Sequence, residues 1–187
     1  MSREDKERWN TKYKEKKAPH EPIKLIRDYA KLDSDNKALD IACGMGRHSK
    51  YLASLGFEVD ALDISSVAIK ALHGVAHIHP LEVDFDTYTL PKNKYNLIVS
   101  TYFLNRRLFP QMINALNSNG IILLETFLHD EDNEREPSNP AFLLKKGELE
   151  DFFGHKCELL YLEEWWGTDY TGANVMKISM VARKKIS

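Results

Sequence analysis

The residues with the clearest chemical potential form one short run, Asp40-Ile41-Ala42-Cys43-Gly44-Met45-Gly46, followed at the end of the next apolar segment by Asp63. Gly44 and Gly46 lack Cβ atoms, so the backbone can bend tightly there and leave room for a ligand. A bend that joins a strand to a helix lies at the carboxyl edge of an open α/β sheet, where ligands bind. A carboxylate ending the second strand is then placed to accept hydrogen bonds from both hydroxyls of a ribose. Taken alone, a glycine pair is also a plain turn, and Asp63 a cap on the next helix. The order strand, glycine turn, helix, strand, acid favours a nucleoside site.

Charge separates the possible nucleoside cofactors. A dinucleotide fingerprint asks for a third glycine three residues after the second, with a helix amino end facing pyrophosphate. Ser49 stands at that position. Asp40, just before the bend, is ill suited to pyrophosphate and well suited to the cationic methionine end of S-adenosylmethionine (SAM). An NAD-dependent oxidoreductase is disfavoured on both counts.

The elements that position these residues follow from the pattern of apolar runs. Residues 1–17 read as a helix carrying Trp9 and Tyr13 on one face, and Ile23 to Tyr29 as a second short helix started by Pro22. ALDIA, FEVDALD, LEVDF, YNLIVS and IILLET are predicted strands. Helices are predicted from Arg47 to Leu55, from Ser65 or Ser66 to Leu72, and from Arg106 to Leu116. Strands that are almost continuously apolar and alternate with helices predict a parallel sheet covered on both faces. After a polar loop near 128–140 and a helix near Glu148–Phe153, strands at Glu158–Trp165 and Val175–Arg183 follow without a helix between them. That ending predicts an antiparallel hairpin on the sheet edge. The expected fold is α/β, a doubly wound, Rossmann-like, mostly parallel seven-stranded sheet. It is read as one domain over 1–187, with the helices of 1–35 covering the cofactor site.

Apart from Ala42, the segment ALDIACGMGRHSKYLASLGFEVDALDIS carries the acid–x–G–x–G–x–G motif and resembles the class I SAM-dependent methyltransferases. RWNTKY, YNLIVSTYFLNRRLFPQMINALNSNGIILLETF and PSNPAFLLKKGEL extend the resemblance to the tellurite-resistance-type and thiopurine-methyltransferase-like group. The resemblance implies a SAM site residue by residue. Asp40 would meet the methionine end, and Ala42, Cys43, Gly44 and Gly46 would form the floor. Asp63 would hold the ribose, with Ile64 against adenine. Asp84 would accept from the adenine amino group beside Phe85, and Ser100 and Thr101 would line the sulfonium side. Ala42 stands where the family usually has glycine; because alanine prefers negative φ, a slightly altered turn is expected.

Methyl transfer from a sulfonium is an in-line displacement, and a base is needed only if the acceptor carries a proton. Glu125, His129, Tyr102 and Arg106 lie after the fourth and fifth strands and are the candidates for contacting an acceptor. Each could equally be a loop or cap group. Trp9 and Tyr13 could close over the cofactor as a lid or simply pack on the core. The segment Ser100-Thr101-Tyr102-Phe103 lacks the prolines that methyltransferases of nucleic-acid or protein amide nitrogens carry here. This favours a small-molecule acceptor, a thiol or a selenium or tellurium species. A catalytically silent SAM-binding protein acting through partners is the alternative.

Gly74 interrupts the spacing of His73, His77 and His79, so they are expected as loop histidines rather than metal ligands. Cys43 is expected to pack as a small hydrophobe, and DEDNERE (130–136) to be a solvated loop. Lys and Arg number 26 against 28 Asp and Glu, giving a net charge of −2 that offers no global attraction to nucleic acid. The charged amino terminus is unlike a secretory signal, no apolar run is long enough to span a bilayer, and two cysteines cannot build a disulfide framework. A cytoplasmic protein without nucleic-acid or membrane partners is expected. The oligomeric state is not encoded in any of these features.

Overall fold

The computed structural model describes residues 3–15, 19–30, 36–135 and 140–185. Helix α1 spans Arg3–Glu15 and α2 Lys24–Tyr29; strand β1 is Lys37–Ile41, α3 Arg47–Ser54, β2 Glu58–Asp63 and α4 Ser66–Leu72. Then come β3 (Ile78–Glu82), β4 (Tyr95–Thr101), α5 (Phe109–Ala115), β5 (Leu116–Phe127), α6 (Glu148–Phe153), β6 (Cys157–Thr168) and β7 (Asn174–Lys184). Seven strands form one sheet in the order β3-β2-β1-β4-β5-β7-β6. The first five run parallel, whereas β7 lies antiparallel to both β5 and β6. The fold class is the one expected, and no described helix is long and apolar enough to cross a membrane.

Successive strand residues point to opposite faces, and the two cores divide accordingly. Leu39, Ile41, Ile98, Ile122 and Leu124 pack with Phe109 and Met112 of α5 and Phe153 of α6. Ala38, Leu97, Val99, Ile121, Leu123 and Val181 pack with Leu25 and Ile26 of α2 and Leu52 of α3. Toward the carboxyl ends of the parallel strands this second face turns polar. Asp40, Thr101, Glu125 and Ser179 continue the rows begun by Ala38, Val99, Leu123 and Val181. The order reverses between β1 and β4, so this polar end sits at the switch point of the sheet.

Several elements depart from the sequence expectation. The third strand is Ile78–Glu82 rather than LEVDF, because its register pairs Asp63 with Glu82 and leaves Val83 to Phe85 beyond the ladder. Pro80 is tolerated because β3 is an edge strand. The NSNG segment is not a separate turn but lies inside β5, with Asn119 at φ 63° and a register shift between Tyr95 and Leu97. The final hairpin is the antiparallel edge addition expected, with β7 beside β5 and β6 outermost. The acidic loop is exposed at Glu131, Asp132, Glu134 and Arg135, as expected, and is also tied to the sheet. Met176 N donates to Asn133 Oδ1 and Asn174 N to Glu134 Oε2, each at 2.6 Å, which ties the loop to the start of β7.

The four Arg106 bonds hold this fold together rather than facing a ligand. The guanidinium pairs with Glu148 at the start of α6 and donates to the carbonyls of Ala141 and Leu143, both at 2.8 Å. Arg106→Ala should therefore cost about 1–2 kcal/mol in chemical denaturation. The affinity of the cofactor site, measured by calorimetry, should not change.

Candidate functional site

The glycine bend is built from left-handed residues in alternation. Ala42 has φ 55°, Gly44 φ 53° and Gly46 φ 76°. Ala42 itself takes up the left-handed conformation, at a cost of roughly 1 kcal/mol. Ala42→Gly should thus retain or slightly raise the melting temperature. Ala42→Val should lower stability by about 2 kcal/mol, because a branched side chain is still less tolerant of positive φ.

Two carboxylates flank the bend. Asp63 is buried, and it accepts from Gly44 N at Oδ2 and from Ser65 N at Oδ1, both at 2.8 Å. It therefore fastens the β1 bend to the end of β2. Burial pushes its pKa up, opposed by the backbone N–H groups that solvate the charge. Ser65 caps α4 by accepting from Ala68 N, so Asp63 is not the cap of that helix. Asp40 lies on the α2/α3 face, fully buried, and accepts from Ser49 Oγ at 2.6 Å. Desolvation raises its pKa to about 7. Ser49, which stands where a dinucleotide fingerprint has glycine, is the group that holds it.

Helix α1 lies across this site. A Cβ added to Gly44 would stand 2.7 Å from Tyr13 Oη, so the phenol sits directly over the bare backbone. Trp9 stacks on Tyr13 at 5.6 Å between ring centres, and Lys6 pairs with Glu82 at the end of β3. Asn10 Oδ1 accepts from Ser65 Oγ at 2.7 Å and Val67 N at 3.2 Å, docking α1 on the amino end of α4. Burial drives the Tyr13 phenol well above its ordinary pKa, and Asp63 pushes in the same direction.

The remaining expected cofactor residues divide. Ile64 is buried beside Asp63, and Cys43 is buried with Sγ against Gly44 O. Burial pushes the Cys43 thiol up, in keeping with a packing role. Asp84 caps its own loop by accepting from Asp86 N at 2.9 Å. Phe85 is fully buried and packs on Phe103 at 5.1 Å, so its ring belongs to the core. Ser100 Oγ reaches Phe103 O at 3.5 Å, while Thr101 Oγ1 lies 3.3 Å from His48 Nδ1. Burial lowers the His48 pKa to about 3, so the ring is neutral. No group of three or more His, Cys, Asp or Glu among the described residues could hold a metal. His77 and His79 are not isolated loop groups, however. Their rings bond to the two oxygens of Glu58 at 2.6 and 2.8 Å.

On the acceptor side, Glu125 and Tyr102 meet and the other two candidates do not join them. Tyr102 Oη donates to Glu125 Oε1 at 2.6 Å, and Tyr102 N donates to Glu125 O at 2.7 Å. Tyr102 holds φ 53°, which costs about 1–2 kcal/mol for a bulky residue. Glu125 Oε2 accepts from Ser179 Oγ at 2.8 Å, and Ser179 Oγ in turn accepts from Trp165 Nε1 at 2.9 Å. His129 is exposed, its backbone N bonded to Leu144 O.

Sequence reasoning missed Lys177 and Ser179. The Lys177 ammonium lies 5.2 Å from the ring centre of Tyr102 and 5.0 Å from that of Trp165, and donates to Thr168 O at 2.8 Å. Burial lowers its pKa. The signal was present: two polar residues two apart in the otherwise apolar run VMKISMVA must share one sheet face. Arg47, the first residue of α3, completes the surroundings with its guanidinium 6.0 Å from the Tyr102 ring centre.

Known proteins share this arrangement of chain. The family model described as tellurite resistance protein TehB matches residues 1–183. A Haemophilus influenzae protein described as a probable S-adenosyl-L-methionine-dependent methyltransferase TehB is 32% identical over 176 residues. The match covers 86% of this chain and 61% of that relative, so the chain spans less than two thirds of its length. The crystal structure of TehB from Haemophilus influenzae superposes with a TM-score of 0.76 at 29% identity, over 96% of this chain and 67% of that one. A SAM-dependent methyltransferase from Methanosarcina mazei shares the fold at a TM-score of 0.72 and 19% identity, over 89% of this chain and 100% of that one. With its left-handed glycine bend, its two flanking acids and a family match over almost its whole length, the chain belongs to the TehB family of class I SAM-methyltransferase-like proteins.

Proposed function

We propose that this chain binds SAM beside the glycine bend and transfers its methyl group to a small-molecule acceptor, a thiol or a selenium or tellurium species. The observation that carries the reading is the pair of buried carboxylates, Asp40 and Asp63, on either side of a bend with three left-handed residues. The residues fit the ligand. Asp63 has spent one lone pair of each oxygen on backbone N–H groups, which leaves each oxygen able to accept from a ribose hydroxyl. Asp40 has a carboxyl whose pKa burial raises to about 7, so it is partly protonated at neutrality and a cation opposite it would ionise it. Gly44 presents bare backbone, and Tyr13 forms the wall above it.

When bound, SAM supplies a methyl group already activated by its positive sulfur. The protein's own task is then alignment and exclusion of water. Helix α1, docked through Asn10 and Tyr13, excludes water from one side. The Tyr102–Glu125 pair, at the carboxyl ends of β4 and β5, faces the acceptor from the other. The same reading takes the protein as cytoplasmic, acting without nucleic acid or membrane.

Calorimetric titration with SAM, S-adenosylhomocysteine and NAD tests this reading. Binding of both adenosyl ligands and not NAD is expected; binding of NAD alone would remove it. A tritiated-methyl assay across thiols, selenite, tellurite and catechols then tests transfer. SAM binding with no turnover on any of them would favour a silent SAM-binding protein.

A further inference from the structure

Glu125 is buried as deeply as Asp63, yet among the described residues its carboxylate is satisfied by hydroxyls, Tyr102 at 2.6 Å and Ser179 at 2.8 Å. The nearby cation, Lys177, reaches it across the phenol as well as by direct charge attraction. Lys177 Nζ approaches Tyr102 Oη at 3.5 Å and keeps its shorter bond, 2.8 Å, for Thr168 O. Tyr102 is half-buried at the end of β4 and held at φ 53°, a strained conformation that turns its side chain toward β5. Strain of this kind persists where surrounding bonds over-determine it, and here both the N–H and the phenol of Tyr102 bond to the same residue. The arrangement is a phenol between a carboxylate that can take its proton and an ammonium that can stabilise negative charge on its oxygen.

Resting on the methyltransferase reading above, we propose that Tyr102 and Glu125 form a proton relay and that the acceptor is a nucleophile still carrying its proton at neutral pH, such as an alkanethiol. The attacking atom forms its bond to the methyl carbon as the carbon–sulfur bond breaks, and that electron pair stays on sulfur. The proton of the attacking atom passes to Tyr102 Oη while the phenol proton moves to Glu125 Oε1, and it returns to solvent after the product leaves. Tyr102 is then the catalytic residue. Glu125, acting through it, holds the proton, and Lys177 and Ser179 position the pair. Burial and the Glu125 charge hold the phenol in its protonated form at rest, so it passes a proton only by receiving one. This narrows the acceptor to the protic members of the proposed class, since a preformed anion has no use for the relay.

Tritiated-methyl transfer to mercaptoethanol, a protonated thiol at neutral pH, and to thionitrobenzoate, a preformed thiolate, separates the roles. Tyr102→Phe and Glu125→Gln should lower turnover of mercaptoethanol by about 10²–10⁴-fold and change that of thionitrobenzoate by less than about threefold. Ser179→Ala, which removes a partner of Glu125 without touching the phenol, should lower turnover of mercaptoethanol by a smaller factor than Glu125→Gln and change that of thionitrobenzoate by less than about threefold. S-adenosylhomocysteine affinity and melting temperature confirm that each variant is folded. Apart from turnover, proton NMR of the complex with S-adenosylhomocysteine should show a downfield hydroxyl resonance. That resonance should vanish in Tyr102→Phe and move upfield in Glu125→Gln. Equal losses on both probes, use of the thiolate alone, no turnover of either by protein that binds S-adenosylhomocysteine, or absence of that resonance would each overturn the relay. Failure to bind S-adenosylhomocysteine at all would instead overturn the methyltransferase reading beneath it.

Discussion

Asp63→Ala is expected to weaken SAM binding by about 1–3 kcal/mol, or roughly five- to 150-fold, and to lower folding stability by about 3 kcal/mol as well. The binding loss follows if the carboxylate carries both ribose hydroxyls. The stability loss follows from the bonds it already makes, since alanine would strand the buried N–H groups of Gly44 and Ser65. Those bonds join the bend after β1 to the end of β2, so the variant loosens the floor of the site as well as its ligand. Asp63→Asn keeps one acceptor oxygen and should fall between alanine and the parent in both measurements. Calorimetry on the folded protein gives the first quantity, and urea denaturation without cofactor gives the second. A stability loss with unchanged SAM affinity would leave Asp63 as a tie in the backbone and nothing more.

Asp40→Asn should raise stability above neutral pH and weaken SAM binding at the same time. In the folded chain burial raises the Asp40 pKa to about 7, against 3.8 for an aspartate in water. Between those values the native state binds more protons at this residue than the unfolded state does, so its contribution to stability declines as pH rises and levels off above about pH 7. Asparagine has no charge to bury. The advantage of the variant should therefore be near zero at pH 4 and grow to about 2–4 kcal/mol by pH 8, read from denaturation at each pH. If Asp40 ionises to face the cationic end of SAM, binding near pH 6.5 should release a proton in the parent, visible as a dependence of enthalpy on buffer, and release less in the variant. A stability difference that stays flat with pH would show that Asp40 is ionised throughout and that burial costs it little. The tension is physical: a site that attracts a cation must bury an anion, and the empty fold bears that cost.

Much of the scaffold was legible because its causes are local. The strand-turn-helix at 37–54 follows from an apolar run, bare-backbone residues and a helical stretch in sequence. Ser65 capping α4 and Gly56 after α3 are set by neighbours a few residues away. The third strand was misplaced because two overlapping runs, IHPLE and LEVDF, fit the same period. The choice between them rests on which register lets β3 pair with β2. The partners of Arg106, namely Ala141, Leu143 and Glu148, were not legible because they lie in a distant segment.

What the amino-acid order determined by itself is the family, the alternation that builds the sheet, and the two acids that bracket the bend. These depend on residue type and short spacing, which the unfolded chain already contains. Only the tertiary structure decided that Tyr13 covers Gly44, that Ala42 takes up the left-handed conformation, and that Glu125 meets Tyr102, Ser179 and, across the phenol, Lys177. The reason is strand order. Inserting β7 antiparallel beside β5 sets Ser179 opposite Glu125 and Lys177 opposite Phe127, a juxtaposition of residues fifty or more positions apart that no local pattern encodes.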